Sequence, residues 1–503
     1  MGIVAHYYMD VELQGVLQAL KHSHPDLKHR IGIADSLKMG DLAVDMCQNH
    51  GVQSGVVCLG VDFMSESVQA IMSKNGLSHI PVYRATSQHI GCSLAESAEG
   101  DAYRAWLQQE SKPSPTRSSS TIDDNDVNND VNNDYKSNNL HVIYINTSLE
   151  TKAVSSSIVP TITCTSSNVL ATILQASLQV PNLRILYGPD TYMGHNLQTL
   201  LDVLLDNPEW TDEKIQSDLH PGHTRVSLKN LRDNLIVFPQ GNCVVHHMFG
   251  DEVVKMVREQ YYDDCYMTAH LEVPGEMFEI AMEKSLQDKG VVGSTSDILN
   301  FITRKVEEAA KSSNSSSSST TTTTKQRLRF VLGTEAGMVT SIVQNVQSIL
   351  QQTGSSSVEA EIIFPVSSEA VMSTEDDDNA SGELALVPGV AGGEGCSTAG
   401  GCATCPFMKM NDLDRLGDIL EMVDATQTLG EQDAMKDKKI LQTHLPPDRL
   451  SGKSIGGVDA TDLGTRAILY MRQFMQDKQL PQALVQDITT AAATARSSAA
   501  ATK

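Results

Sequence analysis

Three cysteines stand at widely separated points of the chain, each in a short polar setting: Cys92 in "IGCSLAES", Cys243 in "GNCVVHH" and Cys405 in "CATCPFMKM". The last belongs to a C-x-x-C pair with Cys402, and Cys396 lies six residues before that. A lone C-x-x-C suits half a zinc site, a redox pair or part of an iron–sulfur ligand set. Three thiolates are one short of the usual four for a [4Fe–4S] cluster, and would leave one iron open to a substrate oxygen. Tetrahedral zinc would need a fourth ligand, for which His246 or His247 is placed in sequence. Spacing alone leaves both readings standing. Cys47, Cys58 and Cys265 lie in apolar or helical contexts and read as core residues, as does Cys164 in its turn.

A second constellation is polar. His6 and Tyr8, Tyr144 and Asn146, and His270 and Glu272 each end a short apolar run: "IVAHYY", "HVIYIN" and "YMTAHLE". Each run is followed by a hydroxyl-rich turn opening a helical pattern, at Ser36, at Thr165–Ser166 and at Ser294–Thr295. Hydroxyls and free N–H groups at helix starts suit carboxylates or phosphate, although the same side chains also cap helices. The candidate pocket therefore binds a small polyanion beside a Lewis-acid metal.

The elements that must position these residues recur three times. After the first strand and its turn comes an apolar strand ending in Gly and then an acid: Gly60 and Asp62, Gly188 and Asp190, Gly333 and Glu335. A last strand then leads towards Cys92, Cys243 or Cys405. Strands alternating with helices imply parallel sheets with functional residues at the strand C-termini. The predicted fold class is α/β, as three pseudo-symmetric three-layer α/β/α domains with short parallel sheets around a central site. The expected domains are 1–110, 140–255 and 256–430, followed by a C-terminal helical tail at 431–503, partly disordered. Residues 111–139, 312–325 and 372–396 are expected to be disordered insertions, being too polar to offset ordering entropy. In the tail, "ATDLGTRAILYMRQFMQ" reads as a helix packing on the third domain, and the final Ala/Thr-rich residues as disordered.

The 503 residues carry a formal charge of −24, which argues against a nucleic-acid binder. No apolar run of about 18 residues is present, so no membrane span is expected. Nine scattered cysteines fit reduced thiols with a few metal ligands better than a disulfide framework.

Twelve segments in order, among them "AHYYMD", "IADSLKMGDLA", "GCSLAES", "CTSSN", "GNCVVH", "AHLEVP", "GSTSDI", "GTEAGM" and "CPFMKMN", resemble the quinolinate synthase family. The likeness runs from the first residues to about residue 425. It implies three α/β domains around one [4Fe–4S] cluster held by Cys92, Cys243 and Cys405. The implied reaction is a transferase condensation of iminoaspartate with dihydroxyacetone phosphate to quinolinate, phosphate and water, for de novo NAD biosynthesis. The implied catalytic residues are Glu272, Tyr8 and His6. The implied substrate-binding set is His6, Ser36, Tyr144, Asn146, Ser166, His246, His270, Glu272, Ser294 and Thr295. The resemblance also implies L-aspartate oxidase as supplier of iminoaspartate and the iron–sulfur assembly machinery as source of the cluster, with no nucleic-acid or membrane partner. Another cluster-dependent hydroxy-acid dehydratase and a non-catalytic redox sensor are the alternatives. The chain begins almost on its first strand, so the helix that precedes it in the family, and any plastid-targeting segment, are expected to lie outside it. Plastid stroma and cytoplasm are both open. Cys396 is too far from Cys402 to repeat the tight C-x-x-C-x-x-C of some bacterial relatives.

Overall fold

The computed structural model describes residues 1–112, 138–315, 326–354, 358–365, 405–428 and 431–500. It contains three four-stranded parallel sheets flanked by helices. The first sheet comprises β1 (Gly2–His6), β2 (Ile31–Ala34), β3 (Val56–Leu59) and β4 (Val82–Arg84). The second has β5 (Asn138–Tyr144), β6 (Thr161–Cys164), β7 (Leu183–Gly188) and β8 (Leu235–Val237). The third has β9 (Tyr266–His270), β10 (Gly290–Gly293), β11 (Gln326–Gly333) and β12 (Val358–Ile363).

All three share one strand order: β2-β1-β3-β4, β6-β5-β7-β8 and β10-β9-β11-β12. The match extends to single hydrogen bonds. His6, Tyr144 and His270 pair with Ala34, Cys164 and Gly293, the last residues of the neighbouring strands. The next N–H, from Tyr7, Ile145 or Leu271, donates to that neighbour's carbonyl. The first strand of each repeat is thus central, buried on both faces, which explains its continuous apolar run.

The chain forms two compact units. One holds the first and third sheets, as Met1–Glu96 with Asn242–Arg449; the other holds the second sheet, as Ser97–Gly241 with Leu450–Lys503. In the first unit, Ile298, Ile302, Phe330, Leu332, Met338 and Ile342 form a core between the third sheet and the helices Thr295–Ser315 and Met338–Thr353. Cys47, Cys58, Cys164 and Cys265 are buried packing residues.

Several expectations are revised. The leading strands stop at His6, Tyr144 and His270, two residues short of the predicted ends. In the first and third repeats, the histidine Nδ1 accepts the N–H two residues on and turns the chain out of the ladder. The expected insertion at 111–139 yields its last two residues to β5, where the Asn138 amide donates to the Pro181 carbonyl. Residues 312–315 complete the helix Thr295–Ser315. Residues 113–137, 316–325 and 372–396 lie outside the described residues, as do Cys396 and Cys402.

The tail differs most. Helix Ala460–Asp477 packs on helix Leu149–Ile158 and β6 of the second sheet, not on the third. Gly464 decides this, because a Cβ there would sit 2.4 Å from the Leu149 carbonyl oxygen; only glycine permits so close a crossing. The final Ala/Thr-rich stretch, expected to be disordered, continues the helix Gln482–Ala500, as alanine's helix propensity favours. Among the described residues no helix is long and apolar enough to cross a membrane.

Candidate active site

The three candidate cysteines lie in one compact unit, where burial first, then the charge on Glu272 and those on Cys92 and Cys405, disfavour ionisation of Cys243. Each ends a loop and begins a helical turn, and that local geometry aims backbone N–H groups at sulfur. Cys92 Sγ accepts from Leu94 and Ala95, Cys243 Sγ from His246, and Cys405 Sγ from Phe407 and Met408. Burial pushes the Cys92 and Cys405 thiols up to about 12 and Cys243 well above its ordinary value.

Two contacts lock these loops together. Ser93 Oγ donates to the Asn242 carbonyl at 3.0 Å and accepts the Val244 N–H at 3.3 Å, joining the Cys92 and Cys243 loops. Gly91 lies against Phe407, with room for no Cβ: one would come within 2.9 Å of the ring, and 2.4 Å of Glu96 Oε1.

Beside the thiols lie the ends of the first and third sheets. His6 Nδ1 accepts the Tyr8 N–H at 3.2 Å, and His270 Nδ1 accepts the Glu272 N–H at 3.3 Å. Both imidazoles are buried and held neutral: burial lowers His6 to about 4 and His270 to about 3, against the opposing pull of the Glu272 charge. The Tyr8 hydroxyl lies 3.3 Å from Thr295 Oγ1. Burial first, then the Glu272 charge, raises its pKa well above 10.

His246 stands between the two strand ends. Its ring stacks on His270 at 4.8 Å and 14°, and meets Tyr8 edge-on at 6.3 Å. Its Nδ1 is 3.1 Å from Glu272 Oε2, at an angle that makes no hydrogen bond. His247 is exposed, so of the two adjacent histidines only His246 faces the site.

The hydroxyl turns are placed as expected but are occupied to different degrees. Ser36 is the first residue of helix Ser36–Asn49, whose cap is Asp35. Ser294 Oγ donates to Asp297 Oδ2 at 2.6 Å and accepts the Asp297 N–H at 3.2 Å, so its proton is committed to a cap. Thr295 faces Tyr8. Tyr144, Asn146 and Ser166 occupy the matching strand-end positions of the second sheet, in the other unit.

Two supporting residues escaped sequence reasoning. Glu335 was visible only as the third of the recurring acids. It is wholly buried, accepts N–H groups from Gly337 (2.9 Å) and Cys405, and so braces the Cys405 loop. Burial raises its carboxyl pKa well above the ordinary range. Lys152, also buried, donates from Nζ to the Ile145 (3.1 Å) and Thr147 carbonyls and clamps the loop carrying Asn146. A lysine in an amphipathic helix gives no sequence signal that its head is turned inward.

The donor set fits an iron–sulfur group. Three neighbouring thiols with N–H groups directed at sulfur would repel one another as thiolates, and a cationic metal centre removes that repulsion.

Residues 1–358 match the family model for the quinolinate synthetase A protein. The chain belongs to that family. It is 44% identical over 493 residues to the chloroplastic quinolinate synthase of Arabidopsis thaliana, covering 97% of this chain and 61% of that protein. To the chloroplastic enzyme of Oryza sativa subsp. japonica it is 42% identical, covering 97% and 63%. A quinolinate synthase of Prochlorococcus marinus (strain MIT 9303) is 23% identical over 82% of this chain and 77% of its own length. The chain thus spans a little over three-fifths of the plant relatives it matches.

Proposed function

We propose that this chain is a quinolinate synthase of NAD biosynthesis, condensing iminoaspartate with dihydroxyacetone phosphate to quinolinate, phosphate and water. The observation that carries this reading is the gathering of Cys92, Cys243 and Cys405 beside Glu272, in a chain whose residues 1–358 match the family. The three thiolates hold a [4Fe–4S] cluster. When bound, such a cluster supplies an iron with an open position, a Lewis acid for oxygen leaving carbon.

The protein's own residues supply binding and proton transfer. Glu272 lies beside His246 and His270 and serves as the principal acid/base for imine formation and enolisation. Tyr8 stays protonated and donates a hydrogen bond to a developing oxyanion, with Thr295 fixing its hydroxyl. His6 and His270, kept neutral, offer one N–H each without adding a mobile charge. Ser36 and Thr295, at helix starts, bind substrate carboxylates through hydroxyl and backbone N–H groups. Ser294 orients that turn through its cap with Asp297. Tyr144, Asn146 and Ser166 are assigned to substrate binding by the family resemblance. L-aspartate oxidase as iminoaspartate supplier, the iron–sulfur assembly machinery and residence in a plastid complete the proposal, the last because the plant relatives are named chloroplastic.

The test is anaerobic purification, reconstitution with iron and sulfide, and measurement of quinolinate from the two substrates. Cluster-dependent product supports the assignment; a fully loaded chain that makes none overturns it.

A further inference from the structure

We propose that, in the absence of a cluster, Cys243, His246 and Glu272 form a mononuclear site for a divalent transition metal, zinc foremost, and that its occupation blocks cluster assembly. The site itself stands on geometry alone; the blocking rests on the reading that Cys243 is a cluster ligand.

The sulfur of Cys243, a ring nitrogen of His246 and a carboxylate oxygen of Glu272 all lie within 4.8 Å of one another. Tetrahedral zinc with bonds of about 2.0–2.3 Å sets its ligand atoms roughly 3.3–3.7 Å apart. Side-chain rotations that draw the three atoms inward by about 1 Å would complete the set.

An independent observation points to a ligand. His246 is 0% exposed, yet neither ring nitrogen makes a hydrogen bond among the described residues. Buried imidazoles are normally hydrogen-bonded, so a ring that faces a carboxylate and a thiol with neither nitrogen so engaged is available to a ligand. The ring is also pre-oriented by its stack on His270, and Glu272 is held by its own N–H on His270 Nδ1.

Thiolate, imidazole and carboxylate together suit zinc, and leave a fourth position for water. Zinc also stands above ferrous iron in affinity for such donors, so an unloaded chain would favour zinc over the first iron. Binding releases the Cys243 thiol proton to solvent. A zinc on Cys243 then removes one of the three thiolates from the cluster set.

The experiment uses the full chain, freed of cluster and kept anaerobic, titrated with Co²⁺ and then Zn²⁺. One cobalt per chain is expected, with a thiolate-to-cobalt charge-transfer band and tetrahedral d–d bands that zinc abolishes. Cys243→Ser, and Glu272→Gln independently, should weaken binding by roughly a hundredfold or more, the upper end of what even an outer-shell change costs. Cys92→Ser should leave cobalt affinity unchanged. Because the two cysteine variants make the same substitution in adjoining loops, loss in one and retention in the other is not a folding effect. Preloaded zinc should slow reconstitution of the wild-type cluster. Equal loss in Cys92→Ser and Cys243→Ser, no effect of Glu272→Gln, or a cobalt spectrum without a thiolate band would each overturn the site. Unslowed reconstitution would overturn the blocking. None of the cobalt measurements involves substrate, so failure of the proposed synthase activity would leave them intact, and the reverse.

Discussion

The ends of β1 and β9 use one backbone device for two chemistries. In each, a buried histidine closes the strand, its Nδ1 takes the N–H two residues on, and the residue so placed faces the same site. In the first sheet that residue is Tyr8, in the third Glu272. The tyrosine is stabilised in its neutral form by burial and by the charge on Glu272. A repeated scaffold thus fixes position, and the residue type at one repeated place differs, a phenol in one repeat and a carboxylate in the other. His246 lies between the two ends, and Cys243 shares its turn.

The largest effect should come from removing what the two ends share. Cys243→Ser should lose the cluster and essentially all turnover, judged by iron and sulfide per chain; full iron content would contradict the ligand assignment. Next is Glu272→Gln, which should retain the cluster and lower kcat by roughly 100- to 10,000-fold, the usual worth of general acid–base catalysis. Unchanged kcat would remove Glu272 from the mechanism. Tyr8→Phe should cost less, about ten- to a hundredfold in kcat, the size of one hydrogen bond to a charged group. A loss matching that of Glu272→Gln would mean that the two ends are chemically equivalent after all.

The two histidines that close β1 and β9 respond to pH in the same direction. His6 and His270 are neutral in the fold down to about 4 and 3, whereas unfolded histidines titrate near 6.5. Below about pH 6.5 the unfolded chain therefore binds more protons, and stability falls as pH drops towards 4. At pH 5 the loss should be on the order of 2 kcal/mol for each histidine, read as a lower urea midpoint than at pH 7.5. Equal midpoints would show that burial does not hold these rings neutral. The smallest effect is Ser93→Ala, which removes both ties between the Cys92 and Cys243 loops; about 1 kcal/mol of stability should go, with the cluster retained.

Much of this was legible in the chain because repetition amplifies weak signals. One strand followed by a hydroxyl turn means little, but three in the same order located β1, β5 and β9, and with them His6, Tyr144 and His270. The three cysteines were legible as chemistry for the same reason. Glu335 stands out only as a recurring acid, since nothing in "GTEAGM" tells that its carboxyl reaches the Cys405 N–H. The partner of the tail is not legible, because an amphipathic helix advertises that it packs but not on what; Gly464 permits its close crossing on helix Leu149–Ile158.

The repeated α/β plan, the strand ends and the donor types can be read from the chain alone, because periodicity and residue chemistry are local properties. Which donors meet is a property of the fold: His246 and not His247 faces Glu272, Ser294 spends its proton on Asp297, and the Cys92 and Cys243 loops are joined through Ser93. Those choices depend on burial and on contacts between residues hundreds of positions apart, which no local pattern encodes.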